Sequence, residues 1–168
     1  MDKFIISVIG KSGSGKTTLI KRIIPELIKR GYKLGTIKHV HHNFEIDQPG
    51  KDSWIHKNAG AVSVLISSKN KIAFIKELDD EIPVKEIIFQ FFKDIDILLI
   101  EGYKEEDFPK IEIVGRKELC KKISRSPFLL MVVSETPIDV SVPVYNPKEI
   151  IKIADFLEEE MHIFYQNY

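Results

Sequence analysis

Residues 10–17 read GKSGSGKT, an order of residues that few folds accommodate. Gly10, Gly13 and Gly15 are spaced so that successive main-chain amides turn inward, a curl that is cheap only for glycine. Before it, Phe4–Ile9 is a short apolar run, the pattern of a strand buried on both faces. After it, Leu19, Ile20, Ile23, Ile24, Leu27 and Ile28 recur at helical spacing between Lys16 and Arg30, and Gly31 offers a stop. Strand, glycine turn and helix in this sequence match G-x-x-x-x-G-K-[ST] at every fixed position. The motif predicts a bound nucleoside triphosphate. Lys16 would reach the β and γ phosphates, and the Thr17 hydroxyl would ligate Mg²⁺. Pro25 lies inside the helical run and is expected to kink it.

Beyond the first helix, Lys33–Lys38 reads as a strand, His39–Lys51 as a long loop and Ser53–Ala59 as a short helix. Val62–Ser67 and Ile72–Leu78 are rich in β-branched residues and suit a hairpin across SKNK. A helix follows from Pro83 to about Phe92, then strands at Ile97–Ile100, Ile111–Val114, Leu129–Ser134 and Val142–Tyr145. An amphipathic helix over Lys148–Phe164 closes the chain. Strands alternating with helices predict an α/β fold of the P-loop NTPase type, with a mainly parallel sheet and helices on both faces. The hairpin and Ile111–Val114 are expected to add antiparallel pieces. With 168 residues and 43% hydrophobic content, one nucleotide-binding domain over 1–168 is the expectation.

Mg²⁺ requires a further carboxylate at the carboxyl end of a neighbouring strand. In ILLIEGYK, Glu101 ends a fully apolar strand and is the candidate for that role, on the metal directly or through water, or as the group that orients an attacking water. Asp94 and Asp96 precede the strand and belong at the opposite edge. The loop after the second strand, VHHNFEIDQPGKD, opens on the same edge as Glu101. Asp47 is its candidate second acidic group near Mg²⁺, and Lys38 and Lys51 are candidates for neutralising phosphate. His39, His41 and His42 suggest an anionic ligand or solvent, since H-x-H-H without cysteine makes a poor closed metal site. Asp47-Gln48-Pro49-Gly50 fits the loose D-x-x-G of GTPase switches and equally fits a simple turn. For the base, Glu135 in Ser134-Glu135-Thr136 is the candidate carboxylate. Spacing alone does not choose between ATP and GTP.

Several stretches together resemble the molybdopterin-guanine dinucleotide biosynthesis protein B family: the phosphate loop, IKHVHH followed by PGKDS, then ILLIEGYK and PKIEIV. The resemblance runs from about Ile5 to Leu157. It implies a dimeric GTP-binding protein with weak GTPase activity. Such a protein assists the molybdenum cofactor guanylyltransferase that joins GMP to molybdopterin. By motif, Gly10, Lys11, Ser12, Gly13, Ser14, Gly15, Lys16, Thr17 and Thr18 would bind nucleotide, and Thr17, Asp47 and Glu101 would surround Mg²⁺. The HVHH and PGKD residues would face the cofactor or the partner, and molybdopterin itself is a further candidate ligand. The family pattern has aspartate where Glu135 stands. Lys11 also matches the extra lysine of dimeric ATPases that reaches the other subunit's nucleotide, and equally an exposed variable loop position.

Composition narrows the partners. Twenty-five basic residues balance 25 acidic ones, so no global field gathers nucleic acid or an anionic membrane. The lone cysteine, Cys120, cannot form an internal disulfide, and no run is long enough to span a bilayer, so the cytoplasm is the default location. A small-molecule kinase is the alternative enzyme, but its lid is poorly supplied by Arg22, Arg30, Arg116 and Arg125. A metallochaperone GTPase would suit the histidine loop and lacks cysteine ligands.

Overall fold

Phe4–Ile9 forms strand β1, and its alternating side chains are buried on both sides: Phe4, Ile6 and Val8 on one face, Ser7 and Ile9 on the other. A computed structural model describes residues 3–115 and 123–166. Cys120 and Arg116 lie outside the described residues. The elements that follow are helix α1 (Lys16–Lys29), β2 (Leu34–Lys38), α2 (Asp52–Asn58), β3 (Ser63–Ser68), β4 (Lys71–Lys76) and α3 (Val84–Phe91). Then come β5 (Ile97–Glu101), β6 (Lys110–Val114), β7 (Leu129–Ser134), β8 (Val144–Tyr145) and α4 (Ile150–Gln166). α1 continues through Pro25 to Lys29.

By internal packing the chain divides into two compact units, Met1–His39 with Phe91–Tyr168, and Val40–Gln90. The first holds a six-stranded sheet in the order β2-β5-β1-β6-β7-β8. Every pairing in it is parallel. α1 and α4 lie against one face, where Ile23, Leu27, Ile153 and Leu157 meet Ile6, Leu99, Ile111 and Met131 in one core cluster. Each such side chain contributes roughly 1.5–3 kcal/mol by leaving water. Leu98, Ile100 and Val132 point to the opposite face and are also buried, so the sheet is covered on both sides. Arg30 ties α1 to α4 through Asp155 (2.6 Å) and Glu158 (2.9 Å), and it also pairs with Glu26 (3.1 Å).

The antiparallel placement expected for Ile111–Val114 is wrong. β6 runs parallel to both β1 and β7. A parallel return normally carries a helix. Here the link crosses back without one and is pinned by Lys110, which is 1% exposed. Its ammonium donates to the Glu106 carbonyl and, at 3.0 Å, to the Phe108 carbonyl, and it faces the Phe128 ring 5.3 Å away. Burial lowers the pKa of this amine, against the opposing pull of Asp107, Glu105 and Glu106.

The second unit holds α2, the antiparallel β3–β4 pair and α3 as far as Gln90. The hairpin is therefore the antiparallel part of the structure among the described residues. Lys57 on α2 pairs with Glu77 at 2.6 Å. Pairing of Leu65 with Phe74 and of Ser67 with Ile72 puts Leu65, Phe74 and Ile72 on one face, and all three are exposed. Among the described residues no helix is long and apolar enough to cross a membrane.

Candidate functional site

All six strands of the parallel sheet point the same way, so the ends of β1, β2, β5 and β7 deliver their following residues to one edge. Gly10–Gly15 follow β1, Lys38 ends β2 and His39 follows it, Glu101 ends β5, and Glu135 follows β7. The phosphate loop curls because Gly10, Gly13 and Gly15 take φ of 139°, 77° and 106°. At Gly10 a side chain is also excluded by space: a Cβ would stand 2.5 Å from the Ile113 carbonyl oxygen and 2.8 Å from Ser14 Oγ. Gly15 caps α1 without a side-chain hydrogen bond, and no acidic residue stands in the first turn. The helix therefore presents unpaired amides and an uncancelled positive dipole end to the loop.

Lys16 Nζ bends back over the loop, donating to the Gly10 carbonyl at 2.9 Å and the Lys11 carbonyl at 2.7 Å. The ammonium is thus held at the loop's mouth, where it can exchange carbonyls for phosphate oxygens. Lys11 and Ser12 are exposed at the tip. Thr17 Oγ1 donates to Glu101 Oε2 at 2.9 Å. The hydroxyl proton is committed to the carboxylate, so the lone pairs of Oγ1 are left for a cation. Lys38 Nζ stands 3.9 Å from the other Glu101 oxygen. A hydroxyl and a carboxylate are hard oxygen donors, and together with phosphate oxygens and water they fit Mg²⁺. Among the described residues no three of His, Cys, Asp and Glu gather into a metal site.

On the other side of the loop lies a cavity of about 280 Å³, bounded by Gly13–Gly15, Thr18, Leu19, Arg22, Ile113–Gly115, Val133–Glu135 and Pro147. Glu135 reaches it from a tight turn in which Ser134 Oγ accepts the Thr136 N–H at 3.2 Å. Ser14 Oγ, also on this wall, is buried and lacks a hydrogen-bond partner among the described residues. Arg22 went unrecognised in the sequence as a site residue. The available signal was its position four residues after Thr18, on the same helix face.

Tyr103 is the second residue missed. It takes φ of 51°, unusual for a non-glycine, and its ring stacks on His39 with centroids 4.1 Å apart and planes 14° from parallel. His39 N–H donates to the Glu101 carbonyl at 2.9 Å, which brings His39 to the site.

Asp47, Lys51, His41 and His42 belong to the Val40–Gln90 unit. Asp47 Oδ1 accepts the Gln48 N–H and the Ser53 hydroxyl, both at 2.9 Å. Its Oδ2 is buried without a hydrogen-bond partner among the described residues, a costly state for a carboxylate oxygen and one that a cation relieves. Gln48–Lys51 is a turn closed by Lys51 N–H on the Gln48 carbonyl at 3.1 Å, with Gly50 at φ 83°. The D-x-x-G stretch is thus a turn that fixes an aspartate.

A family model described as molybdopterin guanine dinucleotide synthesis protein B matches residues 5–135. The molybdopterin-guanine dinucleotide biosynthesis adapter protein of Haemophilus influenzae is 36% identical over 163 residues, covering 96% of this chain and 91% of that one. The Escherichia coli adapter protein is 34% identical over 158 residues, 89% of each. Among solved structures, a MobB homologue from Bacillus stearothermophilus superposes with a TM-score of 0.74 at 20% identity, covering 95% of this chain and 98% of that one. A molybdopterin-guanine biosynthesis protein B gives 0.72 at 28% identity, covering 95% and 99%. The phosphate loop, the parallel sheet and these likenesses agree, and the chain belongs to the molybdopterin guanine dinucleotide synthesis protein B family.

Proposed function

We propose that the chain is a GTP-binding adapter with weak GTPase activity, working in the cytoplasm beside the guanylyltransferase that attaches GMP to molybdopterin. The observation that carries this reading is the Thr17–Glu101 hydrogen bond, which joins the phosphate loop to the carboxyl end of β5. Loop amides and the α1 N-terminus bind the phosphates, and Lys16 neutralises the β and γ groups. Thr17 and Glu101 hold Mg²⁺, whose charge offsets that of the polyphosphate. Asp47, with its unpartnered Oδ2, serves as a carboxylate for a divalent cation. Glu135 faces the base. The chain works as one P-loop domain carrying 40–90 as an insertion. The exposed apolar face of β3–β4 supports a homodimer, since two such faces would cover each other. HVHH and Lys11 are assigned to the partner-facing side, and molybdopterin is a candidate ligand there.

Titration of the wild-type chain and of Lys16→Ala with GTP and ATP, with and without Mg²⁺, tests the nucleotide site. The variant should lose binding of both nucleotides, and unchanged affinity overturns the assignment. Pull-down in the presence of GTP should recover a guanylyltransferase. Stoichiometric phosphorylation of a small metabolite would replace the adapter with a kinase.

A further inference from the structure

We propose that Arg22 is a specificity-determining residue that reads the O6/N7 edge of guanine, opposite Glu135 on the donor edge. The inference rests on the nucleotide reading above and extends it from phosphates to base. The sheet order separates two sides of the phosphate loop. Glu101, the cation-side carboxylate, is on β5 on one side of β1. The cavity of about 280 Å³ lies on the other side, toward β6 and β7. A nucleotide with its terminal phosphates and cation on the β5 side directs its nucleoside into that cavity. Thr18 and Arg22 line it one helical turn apart, and Glu135 stands in its wall at the end of β7.

The two charged groups suit one base. Guanine offers the N1–H and N2–H₂ donors on one edge, which a single carboxylate accepts together, and the O6 and N7 acceptors on another, which a guanidinium fork matches. Adenine places its N6–H₂ donor where guanine has O6, so it would set donor against donor at Arg22. Arg22 is also held in place: its Nη1 donates to the Pro147 carbonyl at 2.5 Å, and Pro147 lines the same cavity. That bond uses one of five N–H donors and tethers the guanidinium beside the cavity.

Binding of GTP, ATP, 7-deaza-GTP and inosine triphosphate is measured for wild type, Arg22→Met, Arg22→Lys and Glu135→Gln, with thermal unfolding as a check on folding. Wild type should prefer GTP over 7-deaza-GTP, which lacks the N7 acceptor, by about tenfold. Arg22→Met should bring that ratio close to one while keeping the preference of GTP over inosine triphosphate, which lacks the N2 donors; Arg22→Lys, which keeps an ammonium donor, should retain part of the discrimination. Glu135→Gln should do the reverse. If Arg22→Met weakens all four nucleotides equally, or if wild type fails to distinguish 7-deaza-GTP, the assignment of Arg22 is overturned while the phosphate site stands. If wild type binds none of them, the nucleotide reading itself falls.

Discussion

Replacing Glu101 with glutamine separates charge from geometry at the cation site. Thr17 Oγ1 donates to Glu101 Oε2 at 2.9 Å, and a glutamine oxygen accepts the same bond from the same place. Only the negative charge goes. Two unit charges about 4 Å apart interact by roughly 1 kcal/mol in water, so a carboxylate near a divalent ion contributes roughly 2 kcal/mol before salt screening. About 1.4 kcal/mol is a tenfold change in an equilibrium constant. Lys38 also loses its anion, but its side chain is 63% exposed and the pair is 3.9 Å apart, so that loss contributes little. Glu101→Gln should therefore weaken Mg²⁺ binding to the nucleotide complex about tenfold. Binding of GTP in EDTA should hold or tighten, because a negative charge near the phosphates has been removed. The assay is a Mg²⁺ titration of a fluorescent GTP analogue on both proteins, with parallel measurements in EDTA. Unchanged Mg²⁺ dependence would refute the cation role. A tenfold loss in EDTA as well would show that Glu101 holds the loop rather than the ion.

Three further outcomes follow from the geometry. Gly10→Ala puts a Cβ 2.5 Å from the Ile113 carbonyl oxygen, so the loop must shift; nucleotide binding should be lost in a chain whose circular dichroism stays native. Lys110→Met keeps the volume but leaves the Glu106 and Phe108 carbonyls without their donor, and urea unfolding should report a loss of roughly 2 kcal/mol. Tyr32 is held up at about 12 by burial and by its 2.5 Å bond to Glu158. Because this folded value lies above the ordinary phenol value of 10, the stabilisation is full below pH 10 and fades as pH rises toward 12. Tyr32→Phe should therefore be less stable at pH 8 by about 1 kcal/mol and lose less between pH 10 and 12, as read by urea unfolding at each pH.

The parts of the fold legible in the sequence were those set by local chemistry. The run from Phe4 to Ile28 carries apolar periodicity, glycine spacing and a lysine in one stretch, and β1, the loop and α1 follow it closely. The position of Glu101 at the carboxyl end of β5 was legible because an apolar run ends on it. The direction of β6 was not, since it depends on a crossover held by Lys110 and its distant neighbour Phe128 rather than on any residue within the strand. Nothing local marks Arg22 within its helix, and the cavity that it lines exists because the ends of β6 and β7 arrive beside it. The Ser53 hydroxyl on Asp47 spans only six residues, but it arises from a turn that the loose D-x-x-G pattern does not specify.

The order of strands has a consequence for synthesis. β1 occupies the middle of the sheet, yet both of its hydrogen-bonded neighbours, β5 and β6, lie in the second half of the chain. During translation the glycine turn leaves the ribosome before β5 and β6 do, attached to a strand with no ladder on either side. It must wait for residues 97–114 before it is braced, so a chain stalled before that point has the motif without the pocket. Long-range pairing of this kind slows folding and exposes apolar strand edges in the interval. Nascent chains halted between β4 and β5 should be unable to retain nucleotide, however intact their GKSGSGKT.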